Sequence, residues 1–409
     1  MKKSLIYKFR HELLTNNHKY VEWVITMKKL VFPDVAVKFQ GGKVPAGFVN
    51  DVKGWSFTKL QVEEAAKSRQ LLTLDIDMAG KGVCSLNCGH CFRRNPEFHK
   101  EKRMGLDEVL GHLADAKKLG LKSVKLIGPG EPLEDKGLLA FLEALKAMDI
   151  QTLIFTKGHL IGDDGLCMRV HGMSGKALAL KLKELGGSIL LGATSFSPEL
   201  EDRIVGKQGY HAARDLAIMR FIEAGFNDFV PGEGTRLAFI CAPVTPNNLD
   251  EAFEIYKYGR ERNIQPVLAP TMVAGRALGK LCEMVPDAEA FIQLYVKINI
   301  YAIEHGITTI AELQEDGIAA YAGAACCNQV AVGMFMRGDG KVLRCPGDDI
   351  SIQGDLREKS ISQIWTESEN LRKYSGRHNN GCPPKEGIVF PPGFFQTVMD
   401  EVLKHFEIR

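Results

Sequence analysis

Hydrophobic positions in this 409-residue chain fall into short unbroken runs separated by stretches of helical period. The runs are 71–78 (Leu-Leu-Thr-Leu-Asp-Ile-Asp-Met), 123–128, 151–156, 188–193, 235–241 and 265–269, all of strand length. Between them Leu106, Val109, Leu110 and Leu113 share one helical face, as do Leu138, Leu139, Leu142 and Leu145. Further helical patterns cover about 175–185, 209–224 and 248–263. Short apolar strands alternating with helices describe parallel βαβ units. Six such units predict an α/β fold, a partial (β/α)6 TIM-like barrel whose functional groups gather at the carboxyl ends of the strands.

The flanking segments have a different character. Residues 1–70 form an extension punctuated by Gly41-Gly42 and Pro45-Ala46-Gly47, with 18–27 readable as strand or helix. Its role is open between a packing or edge-capping segment and a substrate-recognition element. The barrel is expected over 71–275. Connecting helices follow over 276–320, where Phe291, Leu294, Tyr295, Ile298 and Tyr301 line one helical face. Residues 321–385 are rich in glycine turns, and Arg337-Gly338-Asp339-Gly340-Lys341 predicts a hairpin. Phe394, Val398, Val402 and Phe406 predict an amphipathic tail helix within 386–409.

Composition narrows the functional classes. Apolar residues at 45% and charged residues at 25% are ordinary for a soluble globular protein. A net charge of +2 gives no field for nucleic acid or acidic membranes. No run of about 18 uncharged apolar residues predicts a membrane span, and the first residues lack the apolar core of a signal peptide. Ten cysteines are too sparse here for a disulfide framework. Their clustering, without a secretion signal, points to metal binding in a reducing, cytoplasmic setting.

Cys84, Cys88 and Cys91, at C-x3-C-x2-C spacing, follow the first strand run. Thiolates are soft ligands for zinc, copper(I) or iron–sulfur clusters. A closed zinc site takes four ligands, and so does an ordinary cubane; three close cysteines leave one metal position open. A zinc knuckle completed by His90 is the alternative, although His90 and Cys91 are adjacent and have difficulty reaching one tetrahedral ion. The second strand ends in Gly128-Pro129-Gly130-Glu131, the third in Thr156-Lys157, and the fourth in Ala193-Thr194-Ser195-Phe196-Ser197 with Arg203 beyond it. Cys326, Cys327, Cys345 and Cys382 form a second group, for which a zinc ribbon or free thiols are the simpler alternatives. Cys167, Cys241 and Cys282 read as packed thiols.

Together these residues resemble the radical S-adenosylmethionine (radical SAM) enzymes. The resemblance implies a 4Fe-4S cluster on Cys84, Cys88 and Cys91, with the open iron chelated by the amino and carboxylate groups of S-adenosylmethionine. Reductive cleavage of the sulfonium then yields a 5′-deoxyadenosyl radical that abstracts a substrate hydrogen. Gly128, Pro129, Gly130 and Glu131 resemble the Gly-Gly-Glu-Pro motif that holds the methionyl ammonium, with Pro129 in place of a glycine. Thr156-Lys157 is similar to the family's Thr-Asn-Gly; Lys157 is then a partner for a carboxylate, or a solvated surface lysine. Ser195 is implied to contact ribose or carboxylate, or else caps a helix, with Arg203 as a carboxylate partner. Val267 and Leu268 are implied to give adenine an apolar surface.

The stretch Gly354 to Trp365 resembles the SPASM and twitch domains, which implies a second, auxiliary 4Fe-4S cluster on the C-terminal cysteines. Four cysteines fit one such cluster; Cys327 is preferred to Cys326 because adjacent cysteines rarely ligate one cubane, which leaves the fourth position to Cys326, another residue or substrate. The reaction implied is hydrogen abstraction from a small-molecule or natural-product intermediate, assisted by the auxiliary cluster, with flavodoxin or ferredoxin as electron donor. Two alternatives stay open. One is a peptide or protein maturase that makes cross-links, epimers or thioethers. The other is a non-enzymatic cluster carrier or redox sensor.

Overall fold

The expected strand runs become six parallel strands: β1 (Thr73–Asp77), β2 (Ser123–Ile127), β3 (Gln151–Thr156), β4 (Gly187–Gly192), β5 (Leu237–Val244) and β6 (Gln265–Pro270). The computed structural model describes residues 39, 42–78, 84–94, 102–348 and 350–407. The expectation for 18–27 therefore lies outside the described residues. Those described belong to one compact unit within Val37–Arg409.

Each strand neighbours the next in sequence order, β6-β5-β4-β3-β2-β1. Sequential order is the signature of a singly wound barrel; a doubly wound sheet reverses direction at a switch point. Among the described residues no β6–β1 ladder closes the sheet, so the barrel is partial. β1, β2, β4 and β6 are buried along their whole length. That follows from helices covering one face and the barrel interior covering the other, and explains why these strands read as continuous apolar runs.

Beyond β1 the sheet continues with β7 (Gly333–Met336), β8 (Lys341–Leu343) and β9 (Ile352–Asp355). β7 pairs parallel to β1, with Thr73 opposite Gly333. It then turns through the expected hairpin, where the Arg337 N–H donates to the Lys341 carbonyl at 2.9 Å. Helix Ile361–Glu367 starts with a capping box, Ser360 and Gln363, inside the stretch singled out for its resemblance. The connecting helix Ala288–Glu304 and the tail helix Phe394–His405 pack as their periodicities require. Phe291 lies 5.4 Å and Tyr295 5.1 Å from the Phe394 ring, centroid to centroid. No helix among the described residues is long and apolar enough to cross a membrane.

Candidate active site

The three cysteines leave the carboxyl end of β1 on a loop gripped from four directions. After helix Pro198–Val205, the Val205 and Ile204 carbonyls accept from the Asn87 and Gly89 N–H groups at 3.0 and 3.4 Å. After β6, the Arg276 N–H donates to the Cys91 carbonyl at 3.1 Å. The Arg276 guanidinium reaches Asn87 Oδ1 at 2.7 Å and the Cys88 carbonyl at 3.3 Å. After β2, Glu134 accepts the Ser85 N–H at 3.0 and 3.1 Å to its two oxygens. After β3, His159 Nε2 lies 2.9 Å from Ser85 Oγ. The sequence pointed to the cysteines and not to these grips, because each is a contact between residues far apart in the chain.

Gly275 shows how closely the loop is approached. It adopts φ +57°, and a Cβ there would stand 2.4 Å from the Phe92 carbonyl oxygen and 2.7 Å from that of Cys91. Only glycine fits both the left-handed backbone and the contact. Gly275→Ala is expected to push the cysteine loop away and leave the anaerobically reconstituted protein with less iron per chain than wild type. Equal iron content in the two proteins would refute this steric role.

Glu131 is buried, and its carboxylate is aimed by the end of β3. Thr156 Oγ1 donates to Oε1 at 2.6 Å and the Lys157 N–H to Oε2 at 2.9 Å. Burial pushes the Glu131 carboxyl up from the ordinary range, while these hydrogen bonds and the nearby His159 oppose the shift. Lys157 runs over Gly192, where a Cβ would stand 2.8 Å from Nζ. Burial, with Lys157 and Lys280 nearby, pushes the His90 imidazole down to about 3, so it stays neutral.

These residues share one cavity of about 250 Å³ with the second cysteine group. Cys84, Cys88, Cys91, Gly128, Pro129, Gly130, Glu131, Thr156 and Lys157 lie on its wall, and so do Cys327, Cys345 and Cys382. Cys326 does not: it is buried with Sγ 3.9 Å from the Asp316 carbonyl. The interior layer of the barrel adds Trp55, Asp75, Lys125 and Tyr321. The extension before residue 71 thus reaches the cavity through Trp55. Asp75 and Lys125 face each other across β1 and β2, 3.5 Å apart and buried. Charges interrupting apolar strand runs were the available sequence signal for this pair.

Four residues expected at the cofactor, Ser195, Arg203, Val267 and Leu268, are not on this cavity's wall. Ser195 is buried, with Oγ donating to the Glu251 carboxylate at 2.9 and 3.0 Å, so the hydroxyl is engaged in fixing the end of β4. The helix cap is Ser197, which accepts from the Leu200 N–H. Arg203 is exposed and off the cavity wall. Val267 packs with Leu153, Leu190 and Ala238 in an apolar layer inside the barrel. Leu268 packs with Phe291 and Tyr295 on the opposite face. From β6 it is Ala269 and Pro270 that reach the cavity.

The donor set suits an iron–sulfur cluster. Cys84, Cys88 and Cys91 all stand on the cavity wall, and thiolates are soft ligands for such clusters. Burial pushes the Cys84 thiol up to about 12 and Cys382 to about 11. A thiolate at either place would be favoured by a positive centre such as a bound metal.

Residues 81–260 match the Radical SAM superfamily. The chain carries a radical SAM domain. It is 24% identical over 299 residues, 72% of this chain and 73% of the relative, to the PqqA peptide cyclase of Rhizobium meliloti (strain 1021). It is 33% identical over 99 residues to the GTP 3′,8-cyclase of Clostridium perfringens (strain SM101 / Type A), covering 23% of this chain and 30% of that protein. In fold it resembles the crystal structure of Streptococcus suis SuiB bound to precursor peptide SuiA, with a TM-score of 0.52 and 18% identity over 75% of this chain and 68% of that one. The C-terminal cysteines are compatible with a SPASM domain. A radical SAM enzyme works with a 4Fe-4S cluster and S-adenosylmethionine, which when bound supply a 5′-deoxyadenosyl radical. This chain's own residues hold the loop, aim Glu131 and line the cavity that both cysteine groups share.

Proposed function

We propose that this radical SAM enzyme matures a peptide, taking a hydrogen from a segment seated between two cysteine-ligated clusters. Cys84, Cys88 and Cys91 would hold the first cluster. Gly128, Pro129, Gly130, Glu131, Thr156 and Lys157 would hold S-adenosylmethionine. Cys327, Cys345 and Cys382 would hold the second cluster, with Cys326 turned away from it. The observation that carries the two-cluster reading is the single cavity walled by both cysteine groups. The likeness to a peptide cyclase over 72% of the chain supports a peptide ahead of the small-molecule intermediate expected from sequence. The shorter likeness to a GTP cyclase keeps a small molecule as the second reading.

An external donor of the flavodoxin or ferredoxin kind would reduce the first cluster. The auxiliary cluster would take the electron left when the substrate radical closes a bond. The test is an anaerobic assay of the reconstituted enzyme with reductant, S-adenosylmethionine and synthetic peptides corresponding to short reading frames beside its gene. The expected result is 5′-deoxyadenosine formation stimulated by one peptide, which loses two hydrogens in mass. Stimulation by a small molecule and by no peptide would transfer the proposal to the second reading. No 5′-deoxyadenosine under any condition would overturn both.

A further inference from the structure

Three strand ends converge on the residue next to Cys84. Ser85 follows that cysteine directly. Glu134 ends a single 3-10 turn, Pro132–Glu134, that begins just after Glu131. His159 follows the Gly158 that terminates the third strand end. The Glu134 carboxylate accepts the Ser85 N–H through both oxygens, and its Oε1 accepts Ser85 Oγ at 2.8 Å. His159 Nε2 lies 2.7 Å from the same Oε1. The histidine is 1% exposed, and its other ring nitrogen has no hydrogen-bond partner. Its polar contacts are therefore spent on this junction, with Nε2 as the donor.

The grips on the rest of the loop act further along. Val205, Ile204 and Arg276 hold Asn87, Cys88, Gly89 and Cys91. Among the described residues, the polar contacts at Ser85 come from Glu134, His159 and, at 3.3 Å, Lys207 Nζ. The Cys84 limb thus depends on a different set of residues from the Cys88–Cys91 limb. Glu134 also shares one short turn with Glu131, so a movement at Ser85 is transmitted to the carboxylate aimed by Thr156.

We propose that Glu134 and His159 are positioning residues for the Cys84 thiolate: a charged latch that closes the first limb of the cluster loop. The role goes beyond the proposed reaction and does not depend on the substrate or on a second cluster. Hydrogen bonds to a charged partner are roughly twice as strong as neutral ones. Their loss at one ligand is expected to show as faster cluster loss, without a change in which residues bind the metal.

The test uses the full chain, anaerobically reconstituted, with Glu134→Gln, His159→Ala and His159→Gln. The last keeps an N–H donor close to the position of Nε2. Two readouts need no substrate: the rate of iron release to a chelator, and the electron paramagnetic resonance spectrum of the reduced enzyme with and without S-adenosylmethionine. Glu134→Gln and His159→Ala are expected to release iron roughly tenfold faster. Their spectral response to S-adenosylmethionine should be altered, with His159→Gln closer to wild type. Wild-type release and spectra in Glu134→Gln and His159→Ala would overturn the proposal. So would a uniform fall in thermal stability of the metal-free chain, with wild-type spectra and no rescue by His159→Gln, since that pattern marks a purely structural contact.

Discussion

Replacing Cys84, Cys88 and Cys91 together by alanine is expected to abolish 5′-deoxyadenosine formation while leaving part of the iron in place. The first half follows from the proposed assignment: with the three thiolates gone the loop would hold no cluster and S-adenosylmethionine would have no iron to bind. Protein positioning alone does not supply an electron or break a carbon–sulfur bond. The second half follows from the geometry. Cys327, Cys345 and Cys382 come from three separate segments, all outside the loop, and line the same cavity. Lys385, fully buried, donates to the Pro270 carbonyl at 3.0 Å and lies 4.9 Å over the Tyr321 ring. Burial pushes its ammonium down from the ordinary lysine range, while Cys382, Cys345 and Cys327 oppose that shift, so an anionic cluster there would favour the charged lysine. Iron and sulfide analysis of the triple variant decides the matter. Residual iron of about half the wild-type content supports an independent C-terminal cluster, and complete loss would remove that cluster from the proposal.

The parts of this enzyme legible in its sequence are those set by local physics. Buried strands run mostly apolar, so β1 to β6 stood out even though Asp75 and Lys125 interrupt β1 and β2, and the three-cysteine spacing is short enough to survive as a motif. Glu131 was legible for the same reason. Contacts closed by the fold were not. Ser195 stands where the family resemblance puts a cofactor contact, yet Glu251, 56 residues later, takes its hydroxyl. Val267 and Leu268 lie on the expected strand, but the cavity opens one turn of pleat later, at Ala269 and Pro270. β7 is a four-residue strand, Gly-Met-Phe-Met, whose identity comes from pairing with β1 rather than from its own pattern. Trp55 belongs to a segment with no periodic signal and reaches the cavity only through the tertiary fold.

The buried pair Asp77–Arg93 carries the largest expected effect on stability. Asp77 ends β1, and Arg93 stands two residues after Cys91. Their side chains are 3% and 2% exposed. The guanidinium donates through Nη2 to Asp77 Oδ2 at 2.9 Å and through Nε to Oδ1 at 3.3 Å. It stacks 4.5 Å from the Phe335 ring centroid, and Nη1 donates to the Pro346 carbonyl at 3.3 Å. Pro346 is the neighbour of Cys345, so one side chain ties the loop of Cys91 to the loop of Cys345. Arg93→Met leaves the buried Asp77 carboxylate with the long Gly338 N–H contact at 3.4 Å in place of its ion pair and is expected to cost about 3–5 kcal/mol. Removing both charges, Asp77→Leu with Arg93→Met, should recover most of that cost, since well-packed apolar replacements of buried ion pairs are often close to neutral. The tie to Pro346 stays broken in the double variant. Its unfolding curve should therefore approach wild type while product formation, relative to 5′-deoxyadenosine released, stays low. Denaturant unfolding of the metal-free chains measures the first effect, and the ratio of modified substrate to 5′-deoxyadenosine measures the second. A single Arg93→Met variant as stable as wild type would refute the energetic argument. A double variant with the wild-type ratio would show that the Arg93 bridge does not set how the two cysteine groups face the substrate.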